Sequence, residues 1–211
     1  ERMISRIRLP QTPLAISSRV DYKKKSAVVG NLRRLFEGSK LEKSYVHDTL
    51  KTGIGLLSRL DTIYNITMPK IALEEDAEAS KKGITVSRKA HSMHAINEDS
   101  LLTIILCNID IQIVGDIHGR FANLIYLFKV NGFPSPDRPY IFNGDFTDRG
   151  DQGFQCLFSL LMIKVYCDEC VHLHIGNHET RSFYSKRLKN QTIEIYGEDT
   201  YDLVREAILQ L

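Results

Sequence analysis

The chain has 211 residues, 43% of them hydrophobic and 26% charged, which is enough for one buried core with a flanking segment. Its formal net charge of +2 is too mild to mark a nucleic-acid or membrane-surface partner. No apolar run approaches the roughly 20 residues that span a bilayer, so neither a membrane nor a nucleic acid is expected as partner. The start Glu1-Arg2-Met3-Ile4-Ser5-Arg6 lacks the apolar core of a signal peptide, which sets the expected compartment as cytoplasm, nucleus or both. Beginning at Glu rather than Met, the chain reads as a fragment or an incomplete gene product. Cys107, Cys156, Cys167 and Cys170 fall in or beside apolar segments, which suits reduced thiols, and no structural disulfide is expected.

Residues 1–30 are basic and polar without a sustained apolar period and read as a disordered arm. Over 31–70, Leu32, Leu35 and Phe36, then Val46, Leu50, Ile54, Leu57 and Leu60, recur at the spacing of amphipathic helices. Gly53 and Gly55 weaken the second of these helices, and Met68-Pro69 ends the segment. Residues 71–100 are charged and small and read as a linker or insertion; His91 and His94 within it are taken as a solvated pair.

Chemistry concentrates in 101–211. Ile109, Ile111 and Ile113 alternate with polar residues as in a strand and run into Gly115-Asp116-Ile117-His118-Gly119. A helical repeat from Phe121 to Phe128 follows and stops at Asn131-Gly132. The same order returns where Tyr140-Ile141-Phe142-Asn143 leads to Gly144-Asp145-Phe146-Thr147-Asp148-Arg149-Gly150 and a helix carrying Leu157, Leu160, Leu161 and Val165. A third strand, Val171-His172-Leu173-His174-Ile175, ends at Gly176-Asn177-His178-Glu179. In an open α/β sheet the ligand crevice lies outside the carboxyl ends of the strands, so three such turns can converge on one site.

Carboxylates, an amide and imidazoles are ligands for hard-to-borderline divalent metals, and the acidic excess among them calls for a cation. The flanking glycines permit tight turns and close backbone approach. His172 and His174 share one strand face and are expected to be packing or surface residues rather than ligands, while Cys167-Asp168-Glu169-Cys170 lacks the second pair of a zinc site.

The three ordered turns resemble the signature motifs of the phosphoprotein phosphatases, within the metallophosphoesterase superfamily. The flanks of the second and third turns, with Leu35-Phe36-Glu37-Gly38 through Met68-Pro69-Lys70, are most similar to the type 5 serine/threonine phosphatases. The resemblance implies the amino-terminal half of a metallophosphoesterase β-sandwich, flanked by helices and preceded by a small helical segment. It implies a pair of divalent ions, Mn, Fe, Zn or Mg, with Mn the expected metal in assays. Asp116 and His118 would hold the first ion, Asp145 would bridge both, and Asn177 would hold the second and touch a phosphate oxygen. It further implies hydrolysis of phosphoserine and phosphothreonine in proteins by a metal-activated hydroxide attacking phosphorus in line. His178 would be general acid, oriented by Asp148, and Arg149 would clamp the phosphoryl oxygens.

Phosphoprotein substrates and regulatory proteins are the partners so implied. The family completes its site with two further histidines and an arginine beyond the third turn. The chain reaches Leu211 without them, so the second ion is expected to bind poorly and turnover to be low. Two other readings remain: a dinucleoside polyphosphate hydrolase of the same superfamily, and a catalytically weak phosphatase acting as a binding module.

Overall fold

The computed structural model describes residues 24–60, 111–180 and 186–211, together with the strand backbones of 63–66 and 84–87. Residues 1–23 of the expected arm, the expected end of the helical segment at Met68-Pro69, His91 and His94 of the expected linker, and the start at Ile109 of the first strand of 101–211 lie outside the described residues. Two helices come first, α1 (Lys25–Phe36) and α2 (Lys43–Leu57). α1 starts at Lys25, ahead of the position suggested by leucine spacing, because Val28 is already a core residue one turn before Leu32.

α2 runs unbroken through Gly53 and Gly55. The cost of a helical glycine is offset at Gly53 by close packing, since a Cβ there would stand 3.4 Å from a Leu161 methyl. A short antiparallel pair, β1 (Ile63–Ile66) and β2 (Ile84–Ser87), follows in register Ile63 to Ser87.

The sheet that matters for the site has β3 (Gln112–Val114), β4 (Tyr140–Phe142) and β5 (Val171–Leu173) in the order β3-β4-β5, all parallel. Helix α3 (Phe121–Asn131) connects the first two strands and α4 (Gly153–Tyr166) the second two. Gly132, at φ +88°, ends α3 where the sequence placed the stop. α4 is apolar nearly all round and correspondingly buried among α1, α2, α3, α5 (Lys186–Tyr196) and β5.

The parallel strands and their helices confirm the expected α/β class. One core joins the amino-terminal helices to the sheet layer: Val46, Leu50 and Leu57 belong to the same apolar cluster as Phe142, Phe158 and Leu161. Polar ties reinforce it, with Lys43 paired to Asp199 on α6 (Glu198–Leu209) at 2.8 Å and the Tyr196 hydroxyl accepting from the Leu41 N–H at 2.9 Å. No described helix is long and apolar enough to cross a membrane.

The link from α4 to β5 corrects one expectation: Cys167 and Cys170 form a disulfide. The 3-10 turn Asp168–Cys170 brings their Cα atoms to 5.3 Å, within the range a disulfide spans. Cys156 is buried with a free thiol, pushed up to about 12 by burial. Lys164, almost fully buried, is held by the carbonyl oxygens of Asp168 and Val171, each 2.9 Å from its Nζ, and by the Asp168 carboxylate.

His172 and His174 are both buried, and His172 Nε2 lies 3.1 Å from the Glu169 carbonyl oxygen, as expected of packing residues. Burial, helped by the charge of Lys164, holds the His172 imidazole at about 4 instead of the ordinary 6.5. Between those two values the unfolded chain binds a proton that the folded chain refuses, so this contribution to stability is intact above pH 6.5 and lost as pH falls toward 4. From pH 7.5 to pH 5 the loss is about 2 kcal/mol. Urea unfolding at the two pH values, repeated on His172→Gln, should show that the substitution removes this difference. Identical pH dependence in both chains would reject it.

Candidate metal centre

Each strand hands its chain to a polar turn at its carboxyl end, and backbone hydrogen bonds lace the turns together. The amides of Ile117 and His118 both donate to the Asp145 carbonyl, at 3.0 and 2.8 Å, and Gly119 donates to Phe146 at 2.8 Å. In return Gly150 donates to the His118 carbonyl at 2.9 Å. Second and third turns touch backbone to backbone at Gly144 and Gly176, where a Cβ on either would overlap the other turn.

A carboxylate that the sequence reading quoted but gave no role completes the lacing. Glu179 is 1% exposed and accepts hydrogen bonds from the amides of Asp145 (2.7 Å), Phe146 (2.9 Å), Thr147 (3.2 Å) and Gly176 (3.2 Å). The Thr147 hydroxyl adds another at 3.1 Å. Burial raises this carboxyl above its usual range, and the amide donors pull it back down. The clue in the sequence was a carboxylate at the end of the third turn, directly after two candidate site residues.

These turns converge. His118, Asp145 and His178 place one ligand atom each within 4.8 Å of one another, and the two imidazole rings stand edge to face at 4.9 Å. Asp116, mostly exposed, reaches His118 Nε2 at 3.3 Å. Asp148 Oδ2 lies 3.0 Å from His178 Nδ1, and Arg149 Nη2 lies 3.3 Å from His178 Nε2. Asn177 sits next to His178 on the 3-10 turn Asn177–Glu179, exposed at the mouth.

The tautomers follow from the partners. A carbonyl only accepts, so His118 Nδ1, 3.3 Å from the Thr147 oxygen, carries the proton, and Nε2 presents a lone pair. That Nε2 is buried, has no hydrogen-bond partner, and faces the Asp116 carboxylate. Two electron-rich atoms in that position call for a cation between them, and an imidazole whose other nitrogen bonds a carbonyl is the usual metal-ligating form. The residues therefore fit a divalent ion. At His178 the guanidinium only donates, so Nε2 accepts and Nδ1–H donates to Asp148.

Backbone strain marks the same residues. His118, Asp145, Asp148 and Arg149 have φ of 48°, 52°, 67° and 53°, and they are the non-glycine residues with positive φ among those described.

Residues 109–207 match the calcineurin-like phosphoesterase family. The chain is 38% identical over 91 residues to serine/threonine-protein phosphatase 5 of Solanum lycopersicum, covering 41% of this chain and 16% of that protein. It is 46% identical over 70 residues to the Homo sapiens protein of the same name, covering 33% and 14%. Human serine/threonine-protein phosphatase with EF-hands 2 is 34% identical over 107 residues, covering 48% and 14%. A solved Saccharomyces cerevisiae serine/threonine phosphatase, described as similar to the human type 5 enzyme, superposes with a TM-score of 0.61 at 20% identity, over 88% of this chain and 48% of that one.

The chain thus spans about a seventh of the length of the first two relatives and about half of the solved structure. The parallel sheet with its three laced polar turns falls within residues 109–207, the stretch that is similar to the calcineurin-like phosphoesterases. Over this stretch the chain is similar to serine/threonine-protein phosphatases, among them those of type 5, and the matched phosphoesterase family implies divalent metal ions.

Proposed function

We propose that this chain serves the metal-dependent hydrolysis of phosphoserine and phosphothreonine in proteins. The observation that carries the reading is the meeting of His118, Asp145 and His178 within 4.8 Å, beside Asp148 and Arg149, at the ends of three parallel strands. Asp116, His118, Asp145 and Asn177 would hold the ions, and Asp145 suits a bridge because its two oxygens offer more lone pairs than its one bond from the His178 amide uses. When bound, such ions polarise the phosphoryl oxygens and lower the pKa of water, and Mn is the ion to try first.

The chain's own residues supply the rest. Arg149 rests on His178 Nε2, its guanidinium facing an imidazole lone pair. A phosphate dianion is a stronger acceptor for that planar fork, so substrate draws Arg149 to the phosphoryl oxygens and frees Nε2. Nε2 can then hold a proton, with the Asp148 carboxylate on Nδ1 stabilising the imidazolium, and deliver it to the departing serine or threonine oxygen. Alcohol leaving groups need that proton more than phosphate-anhydride leaving groups do, which favours phosphomonoesters over dinucleoside polyphosphates. A cytoplasmic or nuclear setting suits such substrates.

Phosphate release from a phosphothreonine peptide should require added Mn²⁺, stop with EDTA, and be absent in Asp145→Asn. Calorimetric Mn²⁺ uptake should weaken in the same variant. Release from diadenosine tetraphosphate with none from the peptide would overturn the substrate reading.

A further inference from the structure

The segment carrying Arg149 is held from outside the sheet. Arg187 Nη1 on α5 donates to the Arg149 carbonyl at 2.8 Å and to Asp151 Oδ1 at 2.9 Å. One helical turn on, Gln191 Nε2 donates to the Gly150 carbonyl at 3.2 Å, and its Oε1 accepts from the Gly153 amide at 3.0 Å. Two side chains at the i and i+4 positions of one helix thus make four hydrogen bonds to residues 149–153.

That stretch needs outside support. Asp148 and Arg149 are consecutive left-handed residues, a conformation that persists only where the surroundings over-determine it. The carboxylate of Glu179 secures the turn as far as Thr147, and none of its hydrogen bonds reaches Arg149. The Arg149 side chain is exposed and touches His178 only through its tip, so where the guanidinium can reach is set by its backbone.

We infer that Arg187 and Gln191 are positioning residues: from α5 they fix the backbone of Arg149 so that its guanidinium meets the phosphoryl group. The inference rests on the phosphatase reading above. Arg187 is half exposed and outside the apolar core, so its loss should cost the fold little while loosening a residue of the proposed phosphate clamp.

The test uses inorganic phosphate as probe, titrated calorimetrically into the Mn²⁺-loaded chain. Arg187→Met with Gln191→Ala should weaken phosphate roughly tenfold, since small misplacements of a clamping group have effects of that order, with a cooperative melt lowered only by the orphaned Gly153 amide. Arg187→Lys, which can still donate to the Arg149 carbonyl and to Asp151, should retain most of the affinity. In an Arg149→Ala background the same substitutions should cost nothing further, because they act through Arg149. Unchanged affinity in the double variant, or an equal loss in the Arg149→Ala background, overturns the positioning role and leaves the phosphatase reading standing. A wild-type chain that takes up Mn²⁺ but no phosphate overturns both.

Discussion

Glu179→Leu should unfold the site without touching a single candidate ligand. The substitution leaves four backbone amides and the Thr147 hydroxyl without their acceptor in a buried position. Each orphaned donor costs about 1–3 kcal/mol, and relaxation recovers part of the sum, so a net loss of about 3–5 kcal/mol is expected. Mn²⁺ uptake should fall with it, because Asp145 and Gly176, on opposite turns, are both anchored to this one carboxylate. Glu179→Gln keeps one carbonyl oxygen but turns an NH₂ group toward donors, and should fall between. Denaturant unfolding and calorimetric Mn²⁺ titration check both effects. A Glu179→Leu chain with wild-type stability and metal affinity would show that the turns are held by something else.

The second large effect separates proton donation from metal binding at His178. If His178 protonates the leaving oxygen, His178→Gln should lower the rate on a phosphothreonine peptide by about 10²–10⁴. On p-nitrophenyl phosphate, whose phenolate leaves without a proton, the loss should be far smaller. Asp148→Asn should show the same substrate dependence more weakly, since Asp148 acts through His178 Nδ1. His178 also falls within ligand distance of His118 and Asp145, so the competing result is informative. Equal losses on both substrates, with weakened Mn²⁺ uptake, would make His178 a metal ligand instead.

The position of the candidate residues at the strand ends was legible in the sequence because the signals for it are local. Asp116, His118, Asp145, Asp148, Arg149, Asn177 and His178 each lie within a few residues of a strand end, so strand periodicity and glycine punctuation were enough to place them. What stayed hidden depends on contacts between distant segments. Glu179 reads as one more charged turn residue until the second turn is seen to close over it, 32 to 34 residues away in the chain. Arg187 and Gln191 look like the polar face of an ordinary helix, and only α5 packing beside the second turn gives them partners.

The same division holds for the fold. Helix α2 runs through both its glycines, and at Gly53 it packs against Leu161, more than a hundred residues on. Strand alternation put His172 and His174 on one face without saying whether that face was packed or at the surface, and the structure buries both. The disulfide was not, since compartment and composition argued for thiols and only the local turn joins Cys167 to Cys170.

The left-handed backbone at His118, Asp145, Asp148 and Arg149 sets fitness for folding against fitness for chemistry. Glycine at any of the four would relieve strain of order 1 kcal/mol, and each such relief would delete a group the proposed reaction uses. Selection for robustness alone would therefore erode this crevice first, one tolerated substitution at a time, while the sheet and helices endured.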